Sequence, residues 1–340
     1  MNAGPRGTPC WPRLRLSLII ISGLAGPLAA AERVERRLVV MGTFLKVEVV
    51  GADRPAALAA SEAAAREVER IDRLLSTWTR GGPLDRLNRA PAGEAVAIGG
   101  ETERLLEEVM AWSQRTAGAF DSTILPLVRA WGLREEGRIP GPEELAGALA
   151  AVGGRHFRLD SAAESATRLA SDAGIDEGAW GKGYALDRAA AAAAGAPEAV
   201  LDLGGQVLVR GRCAVVIADP RRRDRTAASV LVENASLSTS GNSERGKTVA
   251  GRRIGHLLDP RTGQPAPDFG SASVLAPSGL VADILSTAFF VLGPRRGLEL
   301  SESLRRQGFA NEVLFLVADG ETLEPVASPH FAFHLAESAR

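Results

Sequence analysis

The chain has 340 residues, with 40 Lys plus Arg against 41 Asp plus Glu, 45% hydrophobic residues and 5% aromatics. That balance excludes a disordered polyelectrolyte and a small disulfide-stapled domain, and the length suffices to bury a core. A net charge of −1, with no basic stripe interleaved with aromatics, excludes the usual footprint for nucleic acid, which needs clustered cations to displace counterions from phosphates.

Arg6, Arg13 and Arg15 precede an apolar run, 16–31, that closes on Ala29, Ala30 and Ala31. This order of charge, apolar run and small residues is that of a secretory signal peptide. The run is interrupted by Gly and Pro and is shorter than the roughly 20 residues that span a bilayer. Residues 1–31 are therefore expected to be a signal segment, with 32–340 forming the functional domain of an exported, periplasmic protein. An uncleaved segment would leave it attached to the inner membrane. Cys10 lies before the apolar run, a spacing that does not fit lipid attachment at a cleavage-site Cys. Loss of three arginines takes the charge from −1 to −4 and leaves only Cys213, which cannot form an internal disulfide.

In the mature chain, 38–51 alternates and is rich in Val, and reads as a strand. A helix follows from Pro55 to about Leu75 and another from Glu101 to about Thr116, before a Gly/Pro-rich loop over 134–142. Short strands (199–209, 213–218, 229–237, 271–276, 312–318) then interleave with helices (183–194, 279–292, 294–307). The Ala-rich run 189–194 suits a helix ending at Gly195. Mixed strands and helices point to an α/β or α+β architecture, as one large domain or two closely packed subdomains.

Asp283 and Thr287 lie four apart in a helical segment, so they share a face and offer a carboxylate beside a hydroxyl. Such hard oxygen donors suit Mg²⁺ or Ca²⁺ rather than Zn²⁺. The bland alternative is a dipole-complementing acid and a back-bonded core hydroxyl. GAWGKGYALD sets three glycines around Lys182 just before a helix, an arrangement that can face an anion or simply turn the chain; it matches neither the GxxxxGK[ST] loop nor GxGxxG. Lys182 is one of three lysines, and Tyr184, two residues on, is the only tyrosine. In HLLDPRTGQP, His256 is a candidate base or a structural imidazole, and Asp259-Pro260 initiates a turn. Asp121 and Asp176 can accept from a ligand or cap backbone, and Trp78 is a stacking platform or a boundary aromatic.

Taken in order, FD-x-T-x3-PL-x3-WG, GKGYA-x-D, TSG, H-x2-DP-x-TG and AD-x3-T resemble the FAD:protein FMN transferase family, also called ApbE, from MGT at 41–43 to SPHFAFHL at 328–335. The resemblance implies a flavin-binding fold of the tunnelling-fold kind, with FAD as substrate held between two subdomains and a divalent metal beside its pyrophosphate. Carried over by residue, FAD contacts fall at Met41, Trp78, Ala119, Phe120, Asp121, Asp176, Lys182 and Leu258. The metal falls to the carbonyl of Ala179 with Asp283 and Thr287, and Ser286 occupies an additional family position. His256 matches the histidine near the reacting phosphate. The implied partner is an acceptor flavoprotein of a membrane or periplasmic redox system, which receives FMN on a Thr or Ser hydroxyl as AMP leaves. Asn242 and Ser243 stand where many members have an aromatic after TSG. Glu177 and Trp180 replace small or hydroxyl residues, and are expected to alter charge near the phosphates and to narrow the pocket. A non-catalytic flavin carrier and an FAD pyrophosphatase are the competing readings.

Overall fold

A computed structural model describes residues 31–243, 246–249, 251–320 and 322–335. The expected signal segment lies, apart from Ala31, outside the described residues. In chain order the elements are β1 (Glu32–Val40), β2 (Thr43–Gly51), α1 (Arg54–Leu75), α2 (Pro83–Arg89), β3 (Ala95–Ala97), α3 (Gly100–Arg115), α4 (Leu125–Ala130) and α5 (Pro142–Ala150). They continue with β4 (Phe157–Asp160), β5 (Ser165–Arg168), α6 (Gly181–Ala192), β6 (Glu198–Leu203), β7 (Gln206–Ala218) and β8 (Thr226–Gly241). The rest are β9 (Lys247–Val249), β10 (Arg252–Ile254), β11 (Gly270–Ala276), α7 (Gly279–Arg306), β12 (Glu312–Asp319) and β13 (Thr322–Ala327).

Eight strands form one sheet in the order β1-β2-β6-β7-β8-β11-β12-β13, and neighbouring strands run antiparallel throughout. This decides the open choice in favour of α+β. Inward residues such as Leu45, Val47, Leu201, Leu203, Val274 and Phe315 are buried against α1, α6 and α7. The opposite face buries Val209, Val215, Val230, Val232 and Leu316 with Phe331. Helix α1 starts where the Asp53 side chain accepts from Ala56 N at 2.8 Å, and its buried Ala57, Ala60, Ala64, Val68, Ile71 and Leu75 make one helical stripe. A smaller sheet, β3-β5-β4, lies in the stretch between α1 and α6. Its Val96, Phe157 and Ala166 join the main core, so the two parts share one interior.

Two expected strands are hairpins. The 38–51 strand turns at Met41 and Gly42, whose φ values of 51° and 68° lie in the left-handed region. The 199–209 strand turns at Gly204 and Gly205. In both, apolar residues run up to the turn and resume one residue past it, so hydrophobicity alone does not mark the break. The 213–218 strand is the far end of β7, continuous through a register shift between Val209 and Arg212. The division at residue 293 is correct: Gly293, at φ 74° and followed by Pro294, breaks the α7 segment into two.

Candidate active site

Helices α6 and α7 meet backbone to backbone. A Cβ on Gly183 would lie 2.1 Å from Gly279 O, and one on Gly279 would lie 2.5 Å from Gly183 O, so only glycine permits this crossing. The first residue before α6, Trp180, provides no side-chain cap. Its place is taken from across the crossing by Asp283, whose Oδ2 accepts from Gly183 N at 3.0 Å while Oδ1 stands 3.4 Å from Lys182 Nζ. Asp187 of α6 returns the service at the start of α7, accepting from Gly279 N at 2.6 Å, Leu280 N at 2.9 Å and Ser278 Oγ at 2.7 Å. Each helix thus carries the anion that complements the other's N-terminal dipole. Burial pushes the Asp187 carboxyl above the usual carboxylate range, against the pull of these donors.

Asp283 is 3% exposed, Ser286 is fully buried and Thr287 is half-buried. Ser286 Oγ donates to Asp283 O at 2.9 Å and lies 3.1 Å from Ser238 Oγ and 2.8 Å from Ser240 Oγ. Ser240 Oγ is also 3.3 Å from Thr287 Oγ1. A hydroxyl ladder therefore pins the Asp283 helix to the end of β8. Ala179, half-buried, sits in the turn just before α6. Among the described residues no three His, Cys, Asp or Glu side chains converge. A cation here would rest on one carboxylate plus hydroxyl and carbonyl oxygens, a hard donor set.

A second wall joins Thr77 and Trp78 to Asp176 and Glu177. Arg134 pairs with Asp176 Oδ2 at 2.5 Å, donates to Thr77 O at 2.9 Å and Thr77 Oγ1 at 2.6 Å, and lays its guanidinium 4.4 Å from the centre of the Trp78 ring. Trp78 is 64% exposed and so presents its ring to solvent rather than to the core. Sequence reasoning missed Arg134, which it placed at the edge of a loop; its only signal was its place two residues after the Trp131-Gly132 pair. Beside it opens a cleft of about 290 Å³ lined in part by Thr77, Asn88, Leu125, Arg129 and Arg134.

Glu177 and Trp180 turn away from the roles expected of them. Glu177 is buried and accepts from Thr77 N at 3.1 Å and Thr77 Oγ1 at 2.5 Å, so it ties the Trp78 loop in place. Trp180 is wholly buried, and its indole donates to Asp176 O at 2.8 Å. Burial, with the neighbouring Asp176 charge, pushes the Glu177 carboxyl up from 4.5 to about 7. Because the folded state holds this proton more tightly than the unfolded chain, stability falls as pH rises from 4.5 to about 7 and is level above that. Glu177→Gln is expected to remove that slope, raising unfolding free energy at pH 8 by up to about 3 kcal/mol while changing little at pH 4. Urea titrations at both pH values check this; an equal effect at both would rule it out.

The remaining expected contacts lie on neighbouring loops. Ala119 and Phe120 are buried, while the Asp121 carboxylate is taken up locally by Ser113 Oγ at 3.0 Å, Thr123 N at 2.8 Å and Thr123 Oγ1 at 2.6 Å. The same loop reaches Asp176, whose N–H donates to Ser122 O at 2.8 Å. Trp131 Nε1 donates to Gly263 O at 2.8 Å, joining the WG pair to the DPRTG turn, where buried Leu258 bridges to Pro265. Met41 reaches α6, its Cε 3.5 Å from where a Gly181 Cβ would stand. His256, half-buried, has its backbone N–H held at 3.1 Å by Asn242 Oδ1. Tyr184 is structural: its hydroxyl donates to Glu101 Oε1 at 2.8 Å, on α3.

Fold and site together define an α+β protein with a glycine-flanked helix start, a carboxylate and hydroxyl group beside it, and an exposed aromatic at Trp78. The chain belongs to the ApbE family, whose profile matches residues 41–310. It is similar to the FAD:protein FMN transferase of Klebsiella pneumoniae (strain 342), at 30% identity over 306 residues covering 86% of each chain. It is also similar to that of Treponema pallidum (strain Nichols), at 31% over 323 residues, 87% of this chain and 88% of the relative. Among solved structures, the ApbE protein from Thermotoga maritima superimposes with a TM-score of 0.81 at 28% identity, covering 90% of this chain and 100% of that one. The apo flavinyl transferase ApbE of Pseudomonas stutzeri gives 0.77 at 27%, covering 91% and 98%.

Proposed function

We propose that the protein transfers the FMN part of FAD to a Thr or Ser hydroxyl of an exported acceptor flavoprotein, forming a phosphoester and releasing AMP. The observation that carries this reading is the α6–α7 crossing, where Lys182 and Asp283 stand 3.4 Å apart at a glycine-flanked helix start, in a chain whose relatives bear that activity by name. Lys182 and the first turn of α6 would face the FAD pyrophosphate. Trp78, backed by Arg134, offers the ring face for a planar part of FAD, with Met41, Phe120, Asp121, Asp176 and Leu258 completing the pocket.

His256 takes the proton from the acceptor hydroxyl, whose oxygen bonds to the FMN phosphorus as the bond to the AMP oxygen breaks. An imidazole is the side chain most often used to take up a proton in this way near neutral pH. Asp283, Thr287 and the Ala179 carbonyl are the donors suited to Mg²⁺, or to Ca²⁺ through the same oxygens, and Ser286 holds their helix against β8. Such an ion, when bound, neutralises charge on the phosphoryl oxygens and the departing AMP. Residues 1–31 would carry the protein to the periplasm, where an acceptor in a membrane or periplasmic redox system meets it.

Incubation with FAD, Mg²⁺ and a Thr-bearing acceptor domain tests the reading. Covalent flavin fluorescence on the acceptor is expected. Release of free FMN and AMP would instead mark a pyrophosphatase, and unchanged FAD a carrier.

A further inference from the structure

Strand β8 delivers polar side chains at a spacing of two. Ser238 and Ser240 meet Ser286 and Thr287 on α7, and the next in the series, Asn242, turns to the segment that carries His256. Asn242 is 1% exposed, and its Oδ1 accepts from His256 N at 3.1 Å and, more weakly, from Leu257 N at 3.5 Å. Arg253 donates to its main-chain oxygen at 2.6 Å and fixes the residue from the other side.

The approach is close because residue 255 has no side chain. A Cβ on Gly255 would lie 2.5 Å from Asn242 Nδ2, so the amide rests on bare backbone one residue before His256. Nδ2 itself is buried without a hydrogen-bond partner among the described residues. Leaving such a donor unmet in the interior is unfavourable. An apolar side chain of the same shape would avoid that cost, so packing alone does not account for an amide here.

We infer that Asn242 is a positioning residue for FMN transfer: through β8 it sets the His256 backbone against the helix of Asp283 and Thr287. The inference rests on the role given to His256 above. Small displacements of a reacting group matter, since a shift of about 1 Å can lower a rate about 100-fold.

The test uses the full chain with FAD, Mg²⁺ and a Thr-bearing acceptor domain, comparing Asn242→Ala, Asn242→Asp, Gly255→Ala and His256→Ala. Asn242→Ala is expected to lower kcat about 100-fold with the KM for FAD within about threefold of the parent. Asn242→Asp keeps the accepting oxygen and is expected to recover kcat to within about tenfold of the parent. Gly255→Ala, which pushes the amide away, should reproduce the loss and carries the test if Asn242→Ala does not fold. Parental kcat in Asn242→Ala beside an inactive His256→Ala would overturn the inference alone. So would Asn242→Asp as inactive as Asn242→Ala, or a parallel loss of kcat, FAD binding and melting temperature in the variants. An active His256→Ala would instead overturn the role of His256, and the inference with it.

Discussion

Asp283→Asn is expected to abolish FMN transfer, lowering kcat by about 10³-fold or more, with the protein still folded. The change is nearly isosteric, so the core around α7 keeps its volume. What changes is chemistry at the crossing, where one carboxylate oxygen caps Gly183 N and the other faces Lys182 Nζ. An amide can present its oxygen to only one of these donors, and its nitrogen then opposes the other. The negative charge that complements the start of α6 is also gone, a change worth about 1 kcal/mol in such settings. The larger effect is on the reaction, because a group aimed at developing charge commonly supplies 10²–10³-fold, and the proposed divalent-ion site would lose its only carboxylate. Covalent flavin on the acceptor measures transfer, and Mg²⁺ titration by calorimetry measures the ion. Metal-dependent transfer near the parental rate in this variant would remove Asp283 from the site.

Gly183→Ala is expected to be strongly destabilising and to end transfer. Its Cβ would lie 2.1 Å from Gly279 O, 2.5 Å from Gly279 C and 2.8 Å from Leu280 N, all backbone atoms that cannot rotate aside. The helices must part, and both caps lengthen together. Overpacking costs about 1–3 kcal/mol where side chains can shift. A loss of about 3 kcal/mol or more is expected where they cannot, lowering the melting temperature by roughly 5 °C or more in a domain of this size. Transfer should vanish as well, since Lys182 and Asp283 separate. Gly195→Ala is the control: nothing lies within 4 Å of its Cβ, and it should match the parent or gain a few tenths of a kcal/mol. Equal melting temperatures for the two variants would contradict the reading of the crossing.

The sequence made local relations legible and left tertiary ones hidden. Asp283 and Thr287 were readable as one helical face because a period of 3.6 places residues four apart together. The α7 break was readable because Gly293-Pro294 punctuates it. By contrast, the Asp283 and Asp187 caps join residues 100 and 92 positions apart, and no spacing rule reports such a pair. Arg134 escaped for the same reason: its partners Thr77 and Asp176 come from separate loops. Glu177 and Trp180 were read as pocket residues because their neighbours are, yet each side chain turns into the interior. The ordered motifs named candidate residues; only the fold showed which of their side chains are exposed and which are tied into the interior.

The exchange of carboxylates between α6 and α7 also bears on what a ligand must do on arrival. A free helix start is a fluctuating set of donors that a bound anion has to organise, and ordering it costs roughly 1–2 kcal/mol per residue. Here the first turn of α6 is held by Asp283, and the α7 start by Asp187, through contacts within the protein itself. The conformational entropy of arranging that surface is lost during folding, so little backbone ordering is left to oppose binding.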